Sequence, residues 1–244
     1  MRKPSLMMGI TLLLLLICAI TTLAVHLSQR EITPTAGTEI KNPDPNYFPL
    51  HPGNYWEYAY HSREAVGSND IVSKDQIIRM EVLSSTKAGD YELVAMSGDP
   101  IYFNPQGYFG LAVSIESQKI YYLDNLLLKR LLTDVKKKTF KPDSVTNYGR
   151  ILFEFPLHDG QTYGSEGPER QDTLYMYAVK RNGSYPGSGI KPDQPLPLYQ
   201  VCYACIADVM TYDFVPGLGI TRATYHHNGT VIDYDVKLTG CQIN

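Results

Sequence analysis

Residues 47–60 read Tyr-Phe-Pro-Leu-His-Pro-Gly-Asn-Tyr-Trp-Glu-Tyr-Ala-Tyr, and this stretch decides the fold. Its second half places Trp56, Tyr58 and Tyr60 at every other position, which predicts a β-strand with one aromatic, buried face. Its first half predicts a turn, because proline keeps the chain extended and Gly53 tolerates a positive φ. The stretch therefore predicts a turn that leads directly into a half-buried strand.

The same pattern returns later in the chain. Residues 155–163 read Phe-Pro-Leu-His-Asp-Gly-Gln-Thr-Tyr, so both segments give Phe-Pro-Leu-His-x-Gly followed by an aromatic residue three positions on. Two interpretations are open. Either one stable turn occurs twice, or the domain is an internal duplication in which each half of a sheet opens with this turn.

Strand-like alternation extends through most of the chain, with further examples at 78–82, 91–95 and 175–179. Tyrosine is unusually frequent, with 19 residues against 7 Phe and 1 Trp, and it suits positions where a ring packs while its hydroxyl stays wet. Together with 19 Gly and 16 Pro, this composition favours strands joined by many turns. We predict a mainly β domain, formed by a single curved antiparallel sheet or half-barrel.

One segment has the periodicity of a helix. Asp124 is a candidate N-cap, and four apolar side chains would then share a face, namely Leu128, Leu131, Leu132 and Val135. The basic residues 136–138 would lie at the negative end of the helix dipole. We therefore expect one short helix.

The last strands predict a hairpin. Asn228-Gly229 is the preferred pair for a two-residue type I′ turn, which would place Arg222 opposite Asp235. One face of the final strand then carries Ile232, Tyr234, Val236 and Leu238, whereas the other carries Asp233, Asp235 and Lys237. The clean separation of apolar and charged faces supports this register.

The N-terminal region predicts a membrane anchor. Residues 7–25 contain no charged side chain, and as a helix they would span about 28 Å, close to the hydrocarbon thickness of a bilayer. Arg2 and Lys3 would keep residues 1–6 cytoplasmic and direct the rest outward. A signal peptide cleaved after Ala24, which would give a secreted protein, is the alternative; a lipid anchor at Cys18 fits less well, because Ile17 is not a small residue.

After the anchor, residues 26–46 are polar and rich in proline, which predicts a linker, and residues 47–244 form the extracytoplasmic domain. The formal net charge of −3 argues against nucleic acid as a partner. We expect a single-pass protein of the cell membrane, whose partners are the membrane itself and either an apolar ligand or another envelope protein.

Three cysteines follow the anchor: Cys202, Cys205 and Cys241. A strand through Cys202 and Cys205 would separate their Cα atoms by about 10 Å, too far for a disulfide. We predict free, mostly buried thiols at both positions, with a bridge from Cys241 to Cys205 as the alternative.

The segments at 47–58, 155–160 and 214–220 resemble a loose group of uncharacterised exported bacterial proteins and lipoproteins. That group has a "YFPL..GN.W.Y" start and an "F.PG.G" segment before the last hairpin. The resemblance implies an extracytoplasmic, strongly curved antiparallel sheet or half-barrel, distantly similar to lipoprotein-carrier domains. It supplies no catalytic residues.

Chemical motifs are scarce. The chain has no Gly-x-Ser-x-Gly elbow, no His-Glu-x-x-His and no phosphate-binding loop, and we assign no catalytic residue, metal ligand or cofactor. Asp233 and Asp235 could share a cation, but ion pairs with Arg222 and Lys237 explain them better. His51 and His158 hold equivalent positions in the two turns.

Two functional hypotheses follow. The first is a membrane-tethered, non-catalytic module that binds a lipid or another apolar ligand on its aromatic sheet, with Trp56, Tyr58 and Tyr60 as the candidate binding residues. The alternative is a hydrolase-type enzyme whose His and Asp residues converge from separate strands.

Overall fold

The computed structural model describes residues 48–66, 70–164, 175–185 and 195–244. The predicted anchor at 7–25 and the predicted linker at 26–46 lie outside these residues. Within the described ranges, no helix is both long enough and apolar enough to cross a membrane.

Twelve strands and two short helices make up the described domain. The strands are β1 (Tyr55–Val66), β2 (Asp70–Ala88), β3 (Tyr91–Asp99), β4 (Asn104–Ser114), β5 (Lys119–Asp124), β6 (Arg150–Glu154), β7 (Thr162–Tyr163), β8 (Tyr177–Tyr185), β9 (Leu196–Ala204), β10 (Asp208–Val215), β11 (Gly219–His227) and β12 (Ile232–Gln242). The helices are α1 (Asn125–Lys136) and α2 (Asp143–Tyr148), both between β5 and β6.

All twelve strands belong to one antiparallel sheet in the order β6-β5-β4-β3-β2-β1-β12-β11-β10-β9-β8-β7. The predicted mainly β, curved antiparallel sheet is therefore confirmed. The extent of closure is corrected, since the sheet curls into a nearly closed, barrel-like wall rather than a half-barrel. The two edge strands, β6 and β7, follow one another in the chain and meet at a seam.

Side chains join the two edges of this seam. The Tyr163 hydroxyl donates to the carbonyl of Leu152 at 2.9 Å, and the side-chain amide of Gln161 donates to the carbonyl of Glu154 at 2.8 Å. Among the described strands, no backbone ladder pairs β6 with β7. The wall is thus closed there by side-chain hydrogen bonds.

The two Phe-Pro-Leu-His-x-Gly segments make matching backbone hydrogen bonds, although the Phe155–Pro156 peptide is cis and the Phe48–Pro49 peptide is not. Gly53 N–H donates to Val82 O and Val82 N–H donates to Asn54 O, both at 2.9 Å. In the second copy, Gly160 N–H donates to Val179 O at 3.0 Å and Val179 N–H donates to Gln161 O at 2.8 Å. These equivalent contacts to equivalent strands, β2 and β8, favour the internal duplication over a turn that was merely used twice.

The first copy also seals one end of the core. Phe48 is fully buried and meets the rings of Trp56, Phe153 and Phe214 edge-on at centroid distances of 5.4, 6.4 and 5.7 Å. Gly219 lies against the Phe48 ring, where a Cβ atom would overlap it. Phe48, Leu50 and Asn54 of the opening turn are therefore buried in the interior of the sheet, whereas residues 51–53 are exposed.

The predicted helix is confirmed as α1. The Asp124 carboxylate caps it by accepting the N–H of Leu127 at 2.8 Å, and Leu128 and Leu131 bury the predicted apolar face against β4 and β5. The expectation of a single helix was wrong, because α2 follows it. With six residues, α2 is too short to leave a periodic pattern in the sequence.

The strand pairing in the C-terminal hairpin is shifted by two residues from the predicted register. Arg222 lies opposite Lys237, not Asp235, and the last pair is His226 with Asp233. Only Gly229 of the expected type I′ pair has a positive φ, at +130°. The loop is longer because Asn228 N–H donates to Ala207 O at 2.6 Å, which docks the loop on the neighbouring β9–β10 connection.

All three described cysteines are free thiols, as predicted for Cys202 and Cys205. Cys202 lies in β9 and Cys205 directly follows it, so only the first of them is within the strand. Both are half-buried rather than deeply buried. Burial raises the pKa of the Cys241 thiol to about 11, which keeps it protonated and unreactive.

Candidate functional site

A row of tyrosines crosses the inner face of the sheet. The strand registers align seven residues side by side over seven strands, in the order Tyr163, Tyr177, Tyr203, Met210, Tyr225, Tyr234 and Ser62. We call this set the tyrosine row. It forms because inward-facing positions on successive antiparallel strands fall opposite one another.

The rings of the row contact one another. The pairs Tyr163–Tyr177, Tyr177–Tyr203 and Tyr225–Tyr234 have centroid distances of 5.0, 4.9 and 5.5 Å. Tyr163 and Tyr177 are buried, whereas Tyr203, Tyr225 and Tyr234 are only partly buried and pack on the edge of the core. The row is therefore an aromatic surface that solvent reaches along one side.

The predicted binding residues lie deeper than this surface. Trp56 and Tyr58 have no exposed area, and Tyr60 is 6 % exposed. The Trp56 indole donates to Leu218 O at 2.7 Å and the Tyr58 hydroxyl to Ile220 O at 3.0 Å, so their polar atoms are satisfied within the core. The Tyr60 ring stacks on the ring of Tyr234 at a centroid distance of 5.8 Å, so Tyr60 packs directly against the row. Ligand binding by these three residues stays a prediction.

The β3–β4 turn, residues 100–103, reaches across the sheet to the row. Phe103 stacks on Tyr234 at 4.8 Å and contacts Tyr225 at 6.0 Å, while Ile101 is fully buried. Phe103 has a positive φ of +58°, which is unfavourable for a residue with a bulky side chain. An aromatic side chain of the protein itself thus covers one end of the tyrosine row.

Asp99 holds this turn in place. Its carboxylate is 2 % exposed and accepts the N–H groups of Ile101 and Tyr102, at 2.9 and 3.1 Å, and the Tyr122 hydroxyl at 2.7 Å. Burial raises the pKa of Asp99, and the three hydrogen bonds oppose that rise.

Arg150, the first residue of β6, contacts the β3–β4 turn. Its guanidinium donates to the Tyr102 hydroxyl at 2.7 Å and lies 5.1 Å from the centre of the same ring. Next to it, Arg130 of α1 lies 4.6 Å above the ring of Tyr148 in α2.

The His and Asp residues behind the hydrolase hypothesis also converge in part. Asp208 accepts the Tyr225 hydroxyl at 2.6 Å, contacts Nδ1 of His227 at 2.8 Å, and receives the Cys205 thiol on its other oxygen at 3.5 Å. The thiol and the imidazole therefore both bond the carboxylate rather than each other. A nucleophile must contact its general base, so this arrangement is not that of a catalytic triad.

The remaining candidates from the sequence form surface ion pairs. Asp235 pairs with Arg222 at 2.9 Å and with Lys237 at 3.1 Å, as the ion-pair interpretation predicted, and Asp233 contacts Nδ1 of His226 at 2.5 Å. His51 and His158 are both exposed. Over the described ranges, no three His, Cys, Asp or Glu side chains are placed so that they could share a metal ion.

Sequence reasoning missed the tyrosine row because its members lie on separate strands. No local spacing connects Tyr163 with Tyr234, and only the pairing registers bring them together. The signal that was available is the abundance of tyrosine, with 19 residues in the chain.

No protein-family model matches the chain, and no curated protein matches it. Among solved structures, it is similar to a predicted exported protein with a YmcC-like fold from Bacteroides fragilis, with 12% identity and a TM-score of 0.37 over 81% of this chain and 99% of that one. It is also similar to a predicted lipoprotein from Parabacteroides distasonis, with 10% identity and a TM-score of 0.34 over 83% of this chain and 100% of that one. Likeness at this level carries no functional inference.

Proposed function

We propose that this protein is a membrane-tethered, non-catalytic module of the cell envelope that binds an apolar or aromatic ligand on the tyrosine row. The single observation that carries the proposal is the partial exposure of Tyr203, Tyr225 and Tyr234, which lie in one row with the buried Met210 between the first two. The tether and the outward orientation come from the uncharged run at 7–25 and the two basic residues before it.

The chemistry of the row suits a flat or apolar ligand. Tyrosine rings offer large, rigid surfaces that lose little side-chain entropy when they bind, and ring contacts contribute about 0.5–1.5 kcal/mol each beyond the area they bury. Phe103 already occupies such a contact on Tyr234. This contact supports the proposal that the row accepts aromatic groups.

The test is saturable binding of a neutral aromatic probe, N-phenyl-1-naphthylamine, to the full chain in zwitterionic nanodiscs, with empty nanodiscs as the blank. Tyr203→Leu and Tyr234→Leu keep the sites apolar but remove the rings, and we expect each to weaken probe binding about threefold or more. Tyr108→Leu is the matched control, because Tyr108 is 61 % exposed and lies outside the row.

Two results would overturn the proposal. One is the absence of saturable binding above the nanodisc blank. The other is an equal affinity in the wild type and in both row variants.

A further inference from the structure

Two arginines of the described domain lie on tyrosine rings and have no carboxylate partner. Arg63, Arg79, Lys119, Arg222 and Lys237 each lie within ion-pair distance of a carboxylate. In the part of the chain that the structure describes, Arg130 and Arg150 have no such partner and lie on tyrosine rings instead. Other described cations, Arg181 among them, also lack a carboxylate partner, so the tyrosine rings are what set Arg130 and Arg150 apart.

Both arginines line one cleft. Arg150 borders a space of about 270 Å³ together with Tyr102 and Tyr122, and Arg130 borders an adjoining space of about 330 Å³ with Leu126 and Leu127. Asp124 and Tyr148 line both spaces and so join them. We call the combined space the arginine cleft.

The side chains that line the cleft carry a net positive charge. Its lining residues include two guanidinium groups and one carboxylate, Asp124, which already accepts the Leu127 N–H at the start of α1. Burial raises the pKa of Tyr102 although Arg150 opposes that rise, so the hydroxyl that contacts Arg150 stays neutral at physiological pH and cancels none of its charge.

We propose that the arginine cleft binds the oxyanion group of the ligand whose apolar part lies on the tyrosine row. The β3–β4 turn links the two surfaces, since Arg150 contacts Tyr102 in the cleft and the next residue, Phe103, lies on Tyr225 and Tyr234 of the row. Guanidinium groups present several N–H donors in a plane that matches carboxylate, phosphate and sulfonate oxygens. This inference rests on the proposed function and adds that the ligand is an anionic amphiphile.

The experiment compares two probes that share the same ring system. N-phenyl-1-naphthylamine is neutral, and 8-anilinonaphthalene-1-sulfonate carries one sulfonate on it. Both are titrated into the full chain in zwitterionic nanodiscs, and the ratio of their dissociation constants is the readout. The wild type should favour the anionic probe about fivefold or more.

Substitutions of the two arginines test whether they cause the preference for the anionic probe. Arg150→Gln and Arg130→Gln should each reduce the preference for the anionic probe while leaving binding of the neutral probe within about twofold, and Arg150→Lys should keep part of it. Arg79→Gln is the matched control. Arg79 also lies on a tyrosine, 3.6 Å from the ring centre of Tyr55, but it is paired with Glu57 and Glu81 and is not part of the cleft. The Arg79→Gln substitution should change the affinity for neither probe.

Competition on the wild type gives a second measurement that needs no variant. Sodium phosphate and sodium acetate are compared with sodium chloride at equal ionic strength. Displacement of the anionic probe alone supports the cleft, and the stronger competitor shows whether phosphate or carboxylate fits better.

The two proposals fail in different ways. If the neutral probe does not bind, the proposed function is wrong. If the neutral probe binds to the row but the anionic probe shows no preference, or if neither anion displaces it, the arginine cleft is overturned while the tyrosine row stands.

Discussion

Asp99 is the most deeply buried carboxylate beside the site, and its burial has a consequence for stability. Because its pKa is raised in the folded state, the native protein holds this proton more tightly than the unfolded chain does. The stabilisation from the bound proton is complete below the ordinary value of 3.8 and is lost as the pH rises through the raised pKa.

We therefore predict that Asp99→Asn becomes progressively more stable relative to the wild type as the pH rises from about 3.5 to about 7. The amide of the variant stays neutral, so only the wild type loses stability over this window. Urea unfolding of both proteins at each pH measures the difference, in which the other titrating groups cancel. A difference that is constant with pH would contradict the assignment.

Gly219 is required for two reasons that can be separated by experiment. Its φ is +100°, and an added Cβ would overlap the ring of Phe48. We predict that Gly219→Ala destabilises the domain by about 2–4 kcal/mol, as measured by chemical denaturation. Gly160→Ala is the control, because Gly160 also has a positive φ, +77°, but a Cβ there meets no atom within 4 Å. Equal costs for both variants would show that the contact with Phe48 is unimportant.

At the scale of elements, the β3–β4 turn covers part of the site. Phe103 lies on Tyr225 and Tyr234 with an unfavourable φ of +58°. We predict that Phe103→Ala increases the affinity for N-phenyl-1-naphthylamine about threefold or more, because it uncovers both rings. Tyr108→Ala, in the strand that follows, is the control and should have no effect. An unchanged or weaker affinity in Phe103→Ala would mean that the turn does not compete with ligand.

The seam between β6 and β7 gives a second prediction at this scale. Tyr163→Phe removes the hydroxyl that donates to Leu152 O, so we expect a loss of about 1 kcal/mol and faster hydrogen exchange of the β6 amides. Tyr58→Phe removes a similar buried hydroxyl away from the seam, and it should lower stability without a selective effect on β6. Identical exchange in β6 for the two variants would show that the Tyr163 bond does not hold the seam.

The C-terminal hairpin shows how far sequence pattern can reach. A register shift of two residues leaves every side chain on its face, so Val236 and Asp235 were placed on the correct faces, although the residues directly opposite them in β11 were not the predicted ones. The loop length depended on Asn228 N–H reaching Ala207 O in another hairpin, a contact that no local pattern contains. Side-chain faces were predictable from alternation, whereas pairing depended on tertiary contacts.

The same distinction applies to the whole molecule. Trp56, Tyr58 and Tyr60 were correctly predicted to face inward, but their complete burial depends on Phe48, Leu218 and Ile220 from distant segments. The tyrosine row and the arginine cleft were not predictable, because each needs the registers of several strands or the placement of α1 and α2. The repeated turn was visible in the sequence, and its matched hydrogen bonds favour the internal duplication.

We predict that a fragment starting at Asp44 folds without the N-terminal segment, since the described core lies entirely within residues 48–243. Its far-ultraviolet circular dichroism spectrum should be dominated by β-structure and should unfold in one cooperative transition. A spectrum dominated by helix, or a gradual loss of signal with denaturant, would contradict the idea that this domain is independent.

The way the sheet closes also determines how it can deform. The eleven pairs of neighbouring strands in the sheet are joined by backbone hydrogen bonds. The two edge strands, β6 and β7, are instead joined through the side chains of Tyr163 and Gln161. Two hydrogen bonds of about 1 kcal/mol each resist separation far less than a ladder does. The sheet is therefore easiest to open at the seam between β6 and β7. Because Arg150 and Tyr163 stand on opposite sides of this seam, a slight widening of the seam would move the arginine away from the first tyrosine of the row.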